Sequence, residues 1–119
     1  ERELERLRVA ARDAFRLAAT AGFGPRFLHS TGQLHKGDRG QGLFIQLVAE
    51  PVRDLEIPDI PGSPAPAPSF GKLIDAQAKG DWLALRDAGR RVVRINLGRD
   101  GASGLSRLTD LVQRMRRTQ

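Results

Sequence analysis

The first twenty residues repeat polar and apolar positions with a helical period. Leu4, Leu7, Ala11, Ala14, Phe15 and Ala18 fall on one face, and Arg2, Arg6, Arg12, Asp13 and Arg16 mostly on the other. This predicts an amphipathic helix over residues 2–20, stopped by Gly22, Gly24 and Pro25. "RFLHS" comes next as a short strand candidate. Beyond a glycine-rich stretch, "LFIQLVA" is a better one, because its nearly unbroken apolar run suits a strand covered on both faces. Six of the seven prolines then lie in "EPVRDLEIPDIPGSPAPAP". That composition predicts an extended, proline-rich surface connection over residues 51–68, with little ladder pairing.

Ser69 is placed to cap a helix with Phe70, Leu73, Ile74 and Ala78 on one face. Gly80 is expected to break that helix. Asp81 would then cap a second short one carrying Trp82, Leu83 and Leu85 and ended by Gly89. In "RRVVRINLG", Val93, Ile95 and Leu97 alternate with Arg94 and Asn96, the period of a strand. Ser103 is expected to cap the last helix, where Leu105, Leu108, Val112 and Met115 form an apolar stripe. Its basic end, "RMRR", suits the negative pole of a helix dipole. Helices alternating with strands predict an α/β fold, three-layered, with a mainly parallel sheet flanked by helices. A chain of 119 residues is long enough for one such domain and one core. Sheets of this kind bind ligands in loops at the carboxyl ends of their strands. "HSTGQLHKGDRGQG" directly succeeds the first strand candidate.

Composition removes several function classes. No apolar run approaches the roughly 20 residues of a membrane span, and the charged, amphipathic start is not a signal peptide. Without cysteine there are no disulfides and no thiolate metal sites, which fits a cytoplasmic setting. Two histidines without carboxylates at fitting spacing make a poor metal set, so neither metal nor cofactor is expected. The net charge of +6 is mostly arginine and favours acidic partners in general. Nucleic acid is not expected among them. Arg114, Arg116 and Arg117 stand alone, with no recognition-helix motif, no interleaved aromatics and no tyrosine for base stacking. The sequence begins at Glu1, inside a helical pattern, so a piece of a longer chain is expected.

The chemistry-bearing stretch is "FLHSTGQLHKGDRGQG", residues 27–42, which holds both histidines. Ser30, Thr31 and Gly32 could offer hydroxyls and backbone N–H groups to a phosphate or a sugar. On spacing alone, a plain turn is the better account of these turn-forming residues. Neither a Walker loop nor a dinucleotide fingerprint is present. His35, in a polar loop beside Lys36, carries the side-chain type best suited to moving a proton near neutral pH. Its bland alternative is an exposed surface histidine. His29, after two apolar residues, reads as a packing residue. Lys36 and Arg39 could hold a phosphate, and Gln33, Gln41 and Gln46 sugar hydroxyls, each against a solvated alternative. Trp82 reads as a packing anchor.

"FGPRFLHSTGQLHKGDRGQGLFIQL", with "IPDIPGSPAPAPSFGKLIDAQAKGDWLALRDAGRRVVRINL" after it, resembles the C-terminal end of the bifunctional transaldolase/glucose-6-phosphate isomerase proteins. The resemblance runs from about residue 4 to 112. It implies a sugar isomerase (SIS) type fold and a C-terminal portion of the enzyme half that interconverts glucose 6-phosphate and fructose 6-phosphate. In phosphoglucose isomerases a glutamate moves the proton between C1 and C2, and a histidine in a "GQH"-like segment helps to open the sugar ring. "STGQLH" resembles that segment with one residue more, which implies His35 as the ring-opening acid/base. It also implies Ser30, Thr31, Gln33 and Lys36 as contacts to the sugar phosphate. The expected partners are the upstream isomerase and transaldolase regions of a parent chain. A homodimer is consistent with the resemblance, because the histidine is often supplied across a dimer interface. The glutamate and main phosphate-binding residues of such enzymes lie upstream of this region, the C-terminal lysine motif is missing, and Asp38 stands where a second glycine is usual. The alternative is a non-catalytic sugar-phosphate-binding or dimerisation module.

Overall fold

The computed structural model describes residues 1–58 and 68–117. In chain order these form α1 (Arg2–Phe15), a 3₁₀ turn (Arg26–His29), α2 (Thr31–Gly37), β1 (Leu43–Val48), α3 (Phe70–Asp87), β2 (Arg91–Asn96) and α4 (Gly101–Arg117). The fold is a small α/β arrangement of four helices and a two-stranded parallel sheet among the described residues. β1 and β2 pair in parallel from Leu43 opposite Arg91 to Val48 opposite Asn96. Two parallel strands need a long crossover, and α3 supplies it. The pairing runs on past the strands, with the N–H of Leu97 on the carbonyl of Val48 (2.8 Å) and that of Glu50 on Gly98 (3.0 Å).

The alternation in each strand sorts residues onto two faces. On one face, Leu47 joins a cluster made by Leu7, Ala10 and Ala14 of α1 and Val112 of α4, with Leu105 and Leu108 packed alongside. On the other, Gln46 donates to the Ala78 carbonyl of α3 (2.8 Å) and Arg94 pairs with Asp75 (2.7 Å). Helices thus lie on both faces of the sheet, as the alternating pattern predicts.

Several boundaries differ from the sequence reading. α1 stops at Phe15, where Arg16 turns left-handed (φ 53°, ψ 38°). The apolar stripe goes uncovered there: Phe15 and Ala18 are both exposed, and Arg8 reaches over to hold the Ala19 carbonyl (3.0 Å). "RFLHS" is a 3₁₀ turn and not a strand. Its backbone bonds close locally, Phe27 N–H on Phe23 and Ser30 N–H on Phe27, and two apolar residues are too few to specify a period. Gly80 does not break α3, which runs unbroken from Phe70 to Asp87. One interior glycine costs a helix only about 1 kcal/mol, less than packing along the sheet returns. Asp81 is therefore mid-helix and caps nothing. Ser69 caps α3 as expected, its Oγ accepting from the N–H of Lys72 (3.2 Å), and Gly89 ends it in the left-handed region (φ 71°). In α4 the capping side chain is Asp100, which accepts from the N–H of Ser103 (3.0 Å); Ser103 lies inside the helix. The proline-rich connection is described only at its ends, which meet: Glu56 bridges Ser69, and the N–H of Ile57 binds the Pro68 carbonyl (2.9 Å). Residues 59–67 of that segment lie outside the described residues.

Candidate functional site

The stretch that the sequence marks as a polar loop is largely a short helix. The 3₁₀ turn passes into α2, so Ser30, Thr31, Gln33, His35 and Lys36 lie on or beside one helical segment. Ser30 precedes the helix without capping it; its hydroxyl donates to the Phe27 carbonyl (3.2 Å), and both Ser30 and Gln33 are exposed. Thr31 is the first residue of α2.

His35 is half-buried between two rings, not free in a loop. Its imidazole centroid lies 5.8 Å from that of Phe27 and 5.0 Å from that of Phe44, both tilted. Phe27 is itself hemmed in. A side chain at Gly32 would come within 2.9 Å of the Phe27 carbonyl and 3.1 Å of its ring, so glycine permits the close approach. Lys36 points the other way, towards α3, where its ammonium lies 2.9 Å from Oδ1 of Asp81. That oxygen is buried and makes no aligned hydrogen bond, so the contact is an ion pair and not a directed bond. His29 is exposed, the reverse of the packing role read from sequence, and His35 takes that packing position.

Sequence reasoning passed over the residue that holds this segment together. Arg90 comes directly after the left-handed Gly89, and its own N–H binds the Leu85 carbonyl (2.9 Å). Its side chain donates to the carbonyls of His35 (Nε, 3.0 Å), Lys36 (Nη2, 2.9 Å) and Asp38 (Nη2, 2.7 Å). Nε also lies 3.3 Å from the Asp38 carboxylate, which in turn accepts from the N–H of Gly40 (2.8 Å). Asp38 thus has its charge turned towards Arg90. Arg91 adds a bond to the Gln41 carbonyl (2.5 Å). The signal in the sequence was a pair of arginines opening a strand, which reads as surface charge unless the α2 carbonyls are known to face it.

The arrangement can present an imidazole on a rigid, partly apolar seat, with exposed Ser30 and Gln33 on the same segment. It does not gather the predicted contacts round an enclosed cavity. Concave surfaces occur elsewhere, one lined by Asp13, Ala14, Arg16 and Arg116 and another by Glu50, Pro51, Val52 and Arg99, and neither holds His35. Among the described residues no cluster of histidines and carboxylates could hold a metal ion, and no helix is long and apolar enough to cross a membrane.

No family model matches the chain. A glucose-6-phosphate isomerase of Thermus thermophilus is 33% identical over 100 residues, a match that covers 78% of this chain. The chain is distantly similar to glucose-6-phosphate isomerase. The isomerase of a second Thermus thermophilus strain matches to the same extent, and the aligned part is 24% of either isomerase, so the chain spans about a quarter of these relatives. Among solved structures, a hypothetical protein of Thermus thermophilus superposes with a TM-score of 0.69 and 21% identity, over 92% of this chain and 31% of that one. At that identity the likeness shows a shared fold.

Proposed function

We propose that this chain is the C-terminal portion of a glucose-6-phosphate isomerase in a parent chain that also carries a transaldolase, and that it completes an active site begun upstream. The observation that carries this reading is the 33% identity over 100 residues to isomerases about four times longer than the matched part. The exposed sheet supports it. Leu43, Ile45 and Val93 lie on one face of the sheet and are each about half exposed, although parallel sheets are ordinarily covered on both faces. The upstream isomerase region is the occupant proposed for that face.

In this reading His35 transfers the proton that opens the sugar ring. Ser30, Thr31 and Gln33 contact the sugar phosphate, and Lys36 adds positive charge nearby from its pair with Asp81. The base that moves the proton between C1 and C2 belongs to the upstream region. The isolated 119-residue chain is then expected to show no turnover. In the parent protein, His35→Ala is expected to lower turnover of cyclic glucose 6-phosphate by about 10²–10⁴-fold, the usual worth of a positioned acid/base. Turnover by the isolated chain, or a fully active His35→Ala parent, would sink this reading.

The seat of His35 between Phe27 and Phe44, and the pairing of Lys36 with Asp81, favour a second reading: a non-catalytic sugar-phosphate-binding or dimerisation module. Unchanged turnover in His35→Ala would select it.

A further inference from the structure

We infer that Arg90 is the positioning residue of the His35 segment, and that it fixes the imidazole by gripping the end of α2. The inference rests on the reading of His35 given above for its catalytic meaning, and on geometry alone for the grip.

A helix leaves its last four carbonyls without internal partners, and a seven-residue helix has little cooperative stability of its own. Here the carbonyls of His35, Lys36 and Asp38 converge on one guanidinium from 52 to 55 residues away. The charge also lies at the negative pole of α2 and beside the Asp38 carboxylate. The Arg90 side chain is only 13% exposed, and its bonds to His35 and Lys36 are partly sheltered from competing water, whereas the one to Asp38 is exposed.

The surroundings are shaped to receive it. Gly40 has φ 72°, and a side chain there would stand 2.6 Å from Nη1 of Arg90. Gly42 leaves room for Phe44, since a side chain there would come within 2.8 Å of the Phe44 ring, which faces His35. The base of Arg90 is equally fixed. Gly89 closes α3 with its N–H on Arg86 (2.9 Å) while the Arg90 N–H reaches Leu85, the paired bonds of a Schellman ending. The end of α3 therefore aims Arg90, Arg90 holds the end of α2, and α2 sets His35 between its two rings. Lysine in place of Arg90 would keep the charge and the stem but not the planar fork that serves several acceptors at once.

The test is histidine NMR on the whole chain. In the wild type, the His35 ring protons are expected to be displaced by the Phe27 and Phe44 ring currents, away from those of exposed His29. In Arg90→Gln the displacement is expected to be lost with helix content kept, and Arg90→Lys is expected not to restore it. An undisturbed His35 signal in a folded Arg90→Gln overturns the inference. Should Arg90→Gln fail to fold, Arg90→Lys decides by the same signal. In the parent isomerase, Arg90→Gln is expected to lower kcat by about 10²-fold, the cost of a reacting group misplaced by roughly 1 Å, with KM within about twofold. A wild-type kcat in Arg90→Gln beside an inactive His35→Ala overturns the positioning role. A fully active His35→Ala sinks the functional reading instead, and the NMR signal then decides the grip by itself.

Discussion

Asp54 lies against the first turn of α3, and its carboxylate accepts from the backbone N–H of Gly71 (2.7 Å) and of Leu55 (2.9 Å). The Ser69 hydroxyl first, and then the Gly71 N–H, hold its pKa below the usual carboxylate range. Because the folded value is the lower one, the stabilisation is fully present above the unfolded value near 4 and is lost as pH falls through the folded one. Asp54→Asn is therefore expected to lower the thermal midpoint at neutral pH, with the gap to wild type closing in acid. Melting curves at pH 7 and pH 2.5 check this; an equal gap at both would mean that the charge is not what matters. Gly71 shares the site, since a side chain there would come within 2.6 Å of Oδ2 of Asp54. Gly71→Ala should displace the carboxylate, so the double variant is expected to lose less than the sum of the two single changes. Nothing in the sequence pairs Asp54 with residues 17 positions away. The antiparallel contact between the ends of the proline-rich connection brings them together.

At the scale of elements, α3 tests how far local propensity decides. Gly80 lies in its interior, exposed, with nothing within 4 Å of where a Cβ would stand. Gly80→Ala is expected to stabilise the chain by about 0.5–1 kcal/mol, because alanine loses less backbone entropy in a helix and meets no obstacle here. Denaturant titration checks it, and a lower midpoint would show a local constraint at Gly80. The same residue misled the sequence reading. A glycine can mark a helix end, but its cost is smaller than the gain from the contacts that α3 makes to β1, β2 and α2. Strands β1 and β2 were legible because a short, nearly unbroken apolar run in the first and strict alternation in the second leave few other conformations. α2 was not. Its residues are those of a turn, and it is helical where Arg90 supplies donors to its terminal carbonyls from the far side of α3.

The described residues form an elongated body, 59 × 33 × 19 Å, with a radius of gyration of 16.7 Å. A compact domain of this length would have about 13–14 Å. The part of the sheet face that α1 and α4 leave uncovered goes with that shape. Leu43, Ile45 and Val93 form an apolar patch that water meets directly, and such patches drive association. The isolated chain is expected to self-associate as its concentration rises, and Ile45→Lys with Val93→Lys to suppress this. Sedimentation velocity over a hundredfold concentration range checks it; identical, monomeric behaviour of both proteins would show that the face is not adhesive. By itself the sequence determined the features that short-range rules decide: the helical stripes of α1 and α4, the two strands, the Ser69 cap and the Gly89 stop. Periodicity and backbone preference act over a few residues and can be read there. It also singled out residues 27–42 as the candidate stretch, through composition and a family resemblance. Only the tertiary structure decided that this stretch is a helix, that His35 rather than His29 packs among aromatic rings, that Lys36 is tied to Asp81, and that Arg90 holds the segment. The last two join residues 45 to 55 positions apart across α3, and the His35 seat needs Phe44 of β1 brought against α2. Such meetings are set by how the elements pack.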